Sequence, residues 1–245
     1  VLDSMGALAL LPDSAKAIGY NVIGVIRGSD PALKNQVVVF AAHYDHLGIS
    51  KPVNGDSIYN GADDDASGVT TVLEIARAFS KGPAPKRTVV FMTTTGEEQG
   101  ILGTRWYVMH PIFPLSQMVA EMEVEMVARP DSMAGGSGKA WMTGYDRSTM
   151  GAMLKAAGVP IIADPYPSQH FFERSDNIVF AMKGIPAHTL SSYNLHADYH
   201  QPSDEIATVD FAHMTGVARA AVSAARILAD GSAPVWNAGG QPQAR

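Results

Sequence analysis

The chain has 245 residues, a formal net charge of −6 and no cysteine. Its composition, 46% apolar and 17% charged, is typical of a globular protein and suits one large α/β domain. The sequence has no basic stripe that could bind a nucleic acid, and it has no run of 18 apolar residues, the length needed to span a membrane. Without cysteine, the side chains available as metal ligands are His, Asp and Glu.

The chain order predicts one domain with two flanking segments. Residues 1–20 are apolar but contain Asp3 and lack a basic start, so we expect a linker or the remnant of a longer precursor. We expect the catalytic domain at residues 21–230 and a disordered tail at 231–245. We further expect a secreted or periplasmic protein whose signal segment is absent from this chain, and the sequence leaves its oligomeric state open.

Two continuous apolar runs predict strands that are buried on both faces. The first, residues 36–42, leads into His43-Tyr44-Asp45-His46, and the second, residues 88–94, is followed by Glu97 and Glu98. In an open, mostly parallel sheet the ligand site lies beyond the carboxyl ends of the strands. These polar groups are therefore placed for chemistry.

An acidic triplet, Asp63 to Asp65, lies between an Asn-Gly turn signal and a helix-like run at residues 69–79. Isolated acidic loops are usually solvated, with one residue capping the helix, and Asp65 or Ser67 suits that position. Three adjacent carboxylates repel one another unless cations or helix N–H groups compensate them. The nearby histidine and glutamate clusters favour a cation.

The remaining elements complete an alternating pattern. Glu121, Glu123 and Glu125 alternate along residues 118–127, which predicts a half-exposed strand with a polar face and with Glu125 at its end. Residues 51–60 are predicted to form a polar loop, and residues 164–177 an irregular pocket wall. Further strands are expected at 21–26, 139–144 and 187–190, and helices at 102–110, 147–157 and 211–228. The order predicts a three-layer α/β/α sandwich with a mixed, mostly parallel central sheet.

The candidate ligands are two imidazoles and three carboxylates: His43, one of Asp63 to Asp65, Glu98, Glu125 and His200. Such donors suit two zinc ions, with manganese or cobalt as substitutes. A bridging aspartate would hold the ions about 3.5–4 Å apart, the spacing used in hydrolytic sites. Glu97 would then take a proton from the attacking water and return it to the leaving amine.

The chain resembles the catalytic domain of the M28 family of zinc metallopeptidases, which includes co-catalytic di-zinc aminopeptidases. The resemblance covers roughly residues 21–230, and its ordered motifs are NVIGVIRGSD, AHYDHLG, YNGADDDASG, TGEEQGILG, RSDN, KGIPAHT and DYHQPSDE. It implies a zinc-peptidase-like fold.

The resemblance also implies a role for each matching residue. His43 would bind one metal with Asp45 as its supporting partner, and Asp64 would bridge the two ions. Glu97 would be the general base, and Glu98 and His200 would bind the second metal. The family pattern N-x-D-M-x-G-R is changed here, with Glu123 for Asn, Glu125 for Asp and Ala128 for Gly.

We therefore expect a metal-dependent exopeptidase, most simply an aminopeptidase acting on peptides, with substrate contacts at Phe171, Asp176 and Tyr199. Glu121 and Glu123 are further candidates for binding the free amine. The alternatives are a glutaminyl-cyclase-like acyltransferase with one zinc, a carboxypeptidase, or a non-catalytic binding module of the same fold.

Overall fold

The computed structural model describes residues 17–243. Within that range, seven strands form one mixed sheet in the order β1-β5-β2-β6-β9-β7-β8, and β3 pairs with β4 in a separate hairpin. The strands are β1 Val22–Ile26, β2 Val37–His43, β3 Gly48–Val53, β4 Asp56–Tyr59, β5 Thr88–Thr94, β6 Met118–Val124, β7 Ala140–Met142, β8 Ile161–Ala163 and β9 Ala187–Ser191. The helices are α1 Ala66–Lys81, α2 Leu102–Met109, α3 Met150–Ala156, α4 Asn177–Met182 and α5 Phe211–Asp230.

The predicted three-layer sandwich is confirmed. In the centre of the sheet, β5, β2, β6 and β9 run parallel, while β1 and the β7–β8 pair join through antiparallel contacts. All seven residues of β2 are buried, as its continuous apolar sequence predicts for a strand covered on both faces. The helices α1, α3 and α5 cover one face, and α2 and α4 cover the other.

The apolar periodicity of the two long helices explains their packing. In α1 the buried residues Val72, Ile75 and Phe79 recur at helical spacing, and Val217, Ala221 and Leu228 do the same in α5. Asp65 caps α1 by accepting a hydrogen bond from the amide of Gly68, at 3.0 Å. This confirms one of the two predicted caps.

The structure corrects one local prediction and shows two short elements that the sequence did not reveal. Residues 51–60 are not a loop, because the β3–β4 hairpin turns at Asn54-Gly55, both with positive φ, a sequence that favours hairpin turns. Residues 161–163 form β8, and α4 follows the segment that was predicted to be irregular. Strands and helices this short carry too few residues for a periodic signal.

The predicted polar face of β6 is wrong. Glu121 and Glu123 are both 0% exposed, because β6 lies between β2 and β9 and the α2–α4 layer covers the glutamate face. None of their four carboxylate oxygens has a hydrogen-bond partner. Burial is the first cause that raises the pKa of both groups well above the usual value, and the Asp176 charge raises both further.

The predicted disordered tail is also wrong over its described part. The amide of Thr149 donates to the carbonyl of Val235, and the amide of Val235 donates to the Thr149 hydroxyl, beside a β-bridge between Ser148 and Trp236. The Trp236 indole donates to the carbonyl of Gly184, at 2.9 Å. A polar, Gly- and Pro-rich composition indicated disorder, but one tryptophan and several backbone bonds are enough to hold the segment. Most of the predicted N-terminal remnant, residues 1–16, and the last two residues lie outside the described range. Among residues 17–243, no helix has both the length and the apolarity needed to cross a membrane.

Candidate active site

The carboxyl ends of β2, β5 and β6 bring the predicted ligands together. Among the described residues, two groups of ligand atoms lie close enough to hold a metal ion: His43, Asp64 and Glu125, and His46, Asp64 and Glu98. Asp64 belongs to both groups. Its Oδ1 is 3.2 Å from His43 Nε2, and its Oδ2 is 3.3 Å from His200 Nε2.

His200 and His46 both approach the second group. His200 Nε2 lies 3.2 Å from Glu98 Oε2, and His46 Nδ1 lies 2.9 Å from Glu98 Oε1. The ring of Tyr199 stacks on His200, with centroids 3.9 Å apart. The sequence placed His46 inside the motif HYDH but gave it no role, and only the loop after β2 reveals that its ring turns toward Glu98.

These donor atoms fit metal ions by their geometry as well as their chemistry. His43 Nε2, His46 Nδ1 and Glu98 Oε1 have no hydrogen-bond partner although each lies within about 3.2 Å of an opposite donor or acceptor. Within each of the two groups, the ligand atoms all lie within 4.8 Å of one another, close enough to share one ion. Imidazole nitrogens and carboxylate oxygens in this number suit zinc.

The charges of the site show why it needs a cation. Burial opposes protonation of His43, but Asp64 and the neighbouring acids raise its pKa well above the usual range. Burial raises the pKa of Glu97 to about 9, with the Glu125 charge as the next cause, and burial raises that of Glu125 to about 7. A divalent cation would compensate this excess of negative charge.

The three aspartates of the acidic triplet have different partners. Asp64 faces the ligand cluster, whereas Asp63 and Asp65 accept hydrogen bonds from the amides of Ala128 and Met126, at 2.8 and 3.0 Å. Backbone N–H groups therefore compensate the two outer carboxylates and fix the chain that follows Glu125. This division could not be read from three identical side chains.

The acidic triplet is held in place by side chains to which the sequence analysis assigned no role. The carboxylate of Asp204 accepts hydrogen bonds from the amides of Asp63 and Asp64, at 3.0 and 3.1 Å. Arg129 in turn lies 3.2 Å from Asp204, and His196 Nε2 lies 2.9 Å from Asp63 Oδ2. The motif DYHQPSDE contains Asp204, so its position in that motif is the signal that could have found it.

The Asp45 carboxylate forms hydrogen bonds with groups other than the one predicted. Its Oδ1 is 3.9 Å from His43 Nδ1, which instead lies 3.0 Å from the backbone carbonyl of Asp45. The carboxylate accepts hydrogen bonds from the amides of Glu97 and Glu98, at 3.1 and 3.3 Å. Asp45 thus orients the loop that carries both glutamates, because the turn at Gly96 points these amides toward it.

Of the predicted substrate contacts, Phe171 and Tyr199 line a pocket of about 40 Å³ beside Glu125. Trp141, Tyr193 and Met126 form the rest of its apolar wall. Asp176 is fully buried and accepts a hydrogen bond from Thr94, at 2.6 Å, so the prediction that it contacts substrate is wrong. The burial of Glu121 and Glu123 likewise keeps both from a substrate amine.

Comparisons with known proteins find relatives that are named as peptidases. A "probable leucine aminopeptidase 2" of Aspergillus oryzae is 30% identical over 173 residues, which cover 69% of this chain and 32% of that protein. A vacuolar membrane protease of Candida dubliniensis is 26% identical over 82% of this chain and 20% of its own length. The chain thus spans a third or less of these curated relatives.

Solved structures show the same fold. An aminopeptidase from Aneurinibacillus sp. strain AM-1 matches with a TM-score of 0.68 and 24% identity, over 89% of this chain and 50% of its own. A glutaminyl cyclase of Porphyromonas gingivalis matches with a TM-score of 0.61 and 19% identity, over 84% of this chain and 76% of its own. The model of peptidase family M28 matches residues 21–225. The chain belongs to peptidase family M28.

Proposed function

We propose that this chain is the catalytic domain of a zinc-dependent aminopeptidase, which removes the N-terminal residue of peptides. The observation that carries the proposal is the pair of ligand groups that share Asp64. The names of similar proteins support it, since they include a leucine aminopeptidase, zinc metalloproteases and a zinc aminopeptidase of known structure.

We assign the two proposed zinc ions to the two halves of this cluster. His43, Asp64 and Glu125 would hold the first ion, and Asp64, Glu98 and His200 the second, with His46 as a further imidazole. Manganese or cobalt would suit the same donors. Zinc in such a site supplies a Lewis acid, which polarises a peptide carbonyl and makes water nucleophilic near neutral pH.

Glu97 is the proposed general base. Its carboxylate takes a proton from the attacking water and transfers it to the nitrogen of the leaving amine. Burial and the Glu125 charge raise its pKa to about 9, which would leave it protonated at neutral pH. Metal ions bound beside it would lower that pKa and favour the carboxylate form that a general base needs.

The pocket beside Glu125 is proposed to receive the side chain of the N-terminal residue. Its wall is aromatic at Trp141, Phe171 and Tyr199, which favours an apolar side chain. The free amine of the substrate would lie at the Glu125 end of the pocket. An acetyl group on that amine would meet the ligand cluster there.

The test is a panel of aminoacyl-p-nitroanilides, assayed before and after chelation and again after zinc is restored. We expect hydrolysis that chelation abolishes and zinc restores, about two zinc ions per chain by elemental analysis, and no hydrolysis of N-acetylated substrates. Undiminished cleavage of acetylated substrates would refute the aminopeptidase. One zinc per chain, with release of pyroglutamate from an N-terminal glutamine, would instead favour a glutaminyl-cyclase-like acyltransferase.

A further inference from the structure

The segment Val235–Gly240, called here the C-terminal strap, lies beyond residues 21–225, the part matched by the family model. It is bonded to the loop between β7 and α3. The amide of Asn237 donates to the carbonyl of Arg147, at 2.9 Å, and its side-chain amide donates to the carbonyl of Asp146, at 2.8 Å. The Trp236 indole donates to Gly184, just before β9. The strap thus bridges two loops, one that follows β7 and one that precedes β9.

Arg147 contacts both the strap and an aromatic residue next to the pocket. Its Nη1 donates to the carbonyl of Gly240, at 3.2 Å, and its guanidinium carbon lies 4.4 Å from the centre of the Phe172 ring. The ring of His188 lies between Trp236 and Phe172. Its centre is 5.6 Å from the centre of the Trp236 ring and 5.8 Å from that of the Phe172 ring. The strap therefore supports Phe172 from two sides.

Phe172 is adjacent to Phe171, which forms part of the pocket wall. The Phe171 ring stacks on Trp141 with centroids 5.4 Å apart and meets Tyr193 edge-on at 5.7 Å. Both phenylalanines belong to a single turn of 3₁₀ helix, Phe171–Glu173. A helix of one turn has few backbone hydrogen bonds of its own, so its position depends on packed neighbours.

We propose that the C-terminal strap, acting through Arg147, positions the Phe171 wall and thereby sets which N-terminal side chains the pocket accepts. The inference rests on the proposed function, because it concerns the specificity of that same site. Arg147 is a positioning residue in this account. Its guanidinium touches Phe172 rather than the substrate pocket.

Gly240→Ala is the sharpest perturbation of the strap. A Cβ at position 240 would lie 1.9 Å from the carbonyl oxygen of Arg147, so the strap must move away. The neighbouring Gly239 has a φ of +72° and no atom within 4 Å of an added Cβ. Gly239→Asn is therefore the matched control, because asparagine tolerates the left-handed conformation.

Steady-state kinetics on leucyl- and alanyl-p-nitroanilide, with zinc content measured for each variant, give the readout. In Gly240→Ala we expect the leucine-to-alanine ratio of kcat/KM to change roughly five-fold, mainly through the KM for leucine, because a displaced wall alters contact with the larger side chain. Gly239→Asn should keep the wild-type ratio. Hydrogen exchange should be faster at residues 171–173 in Gly240→Ala alone.

A double-variant cycle tests the route through Arg147. Arg147→Met should change the ratio to a similar extent as Gly240→Ala, and combining the two should add little, since both remove one link. Equal ratios in wild type and both single variants would overturn the proposal, as would fully additive effects. A general loss of stability would lower kcat for both substrates alike. If the wild-type protein itself hydrolyses neither substrate, the proposed function fails, a result distinct from an unchanged ratio.

Discussion

We expect His188 to make the stability of this protein depend on pH. The residue lies on β9, is 0% exposed and contacts no candidate metal ligand. Its Nδ1 lies 2.8 Å from the carbonyl of Thr143, and its Nε2 lies 2.7 Å from the Ser148 hydroxyl. The carbonyl can only accept, so Nδ1 carries a proton, and in the neutral ring Nε2 accepts from the Ser148 hydroxyl.

Burial lowers the pKa of His188 to about 4. In the unfolded chain the ordinary value of 6.5 applies, so as pH falls the unfolded chain binds this proton first. The stabilising effect is thus complete above pH 6.5 and is lost progressively as pH falls toward 4. The full difference corresponds to about 3.4 kcal/mol, of which about 2 kcal/mol is lost between pH 7 and pH 5.

The assay is equilibrium urea unfolding at pH 7, 6 and 5 on wild type and His188→Gln, with a chelator present so that metal release does not contribute. Glutamine does not titrate, so the variant should lose about 2 kcal/mol less than wild type across this range. His110→Gln, at an exposed site on the surface, is the matched control and should follow wild type. Identical pH dependence in wild type and His188→Gln would refute the reasoning.

Three further predictions concern the buried acids. The Glu97→Gln variant should keep its zinc while kcat falls ~10²–10⁴-fold, the range for losing a general base. If elemental analysis shows that zinc is lost in parallel with activity, Glu97 is a ligand instead. Glu125→Ala should lower zinc stoichiometry or activity, and a variant with two tightly held ions and full activity would return Glu125 to a structural role. Glu121→Gln should raise the free energy of unfolding at pH 7 by roughly 1–3 kcal/mol. Burial raises the pKa of Glu121, so the wild-type protein loses stability as pH rises above the pKa that Glu121 has in the unfolded chain, and glutamine does not titrate. Urea unfolding that shows no gain, or a loss, at pH 7 would contradict this last expectation.

The strand ends of the site were predictable from sequence because local chemistry fixes them. The apolar run before His43 predicts a buried strand, and a buried parallel strand has only its carboxyl end free for a ligand. The same argument applies to β5 and the loop that carries Glu97 and Glu98. Each of these two predictions uses only the residues just before and just after the end of one strand.

The polar strand β6 shows where that reasoning fails. Alternating glutamates look the same whether water or a layer of helices faces them, and only the packing of α2 and α4 decides. Glu121 and Glu123 were therefore predicted on the surface and lie in the interior, without hydrogen-bond partners.

The sequence by itself determined the main buried strands and the long helices, the three-layer fold and the donor types that gather at one edge of the sheet. The tertiary structure decided which aspartate of the triplet faces the cluster, that His46 joins it, and that Asp45 serves backbone amides instead of His43. It also decided that the C-terminal strap is bound to the domain rather than free. The physical reason is range: hydrophobic periodicity and chain order act between neighbours, whereas the direction of a side chain depends on groups that folding brings from distant parts of the chain.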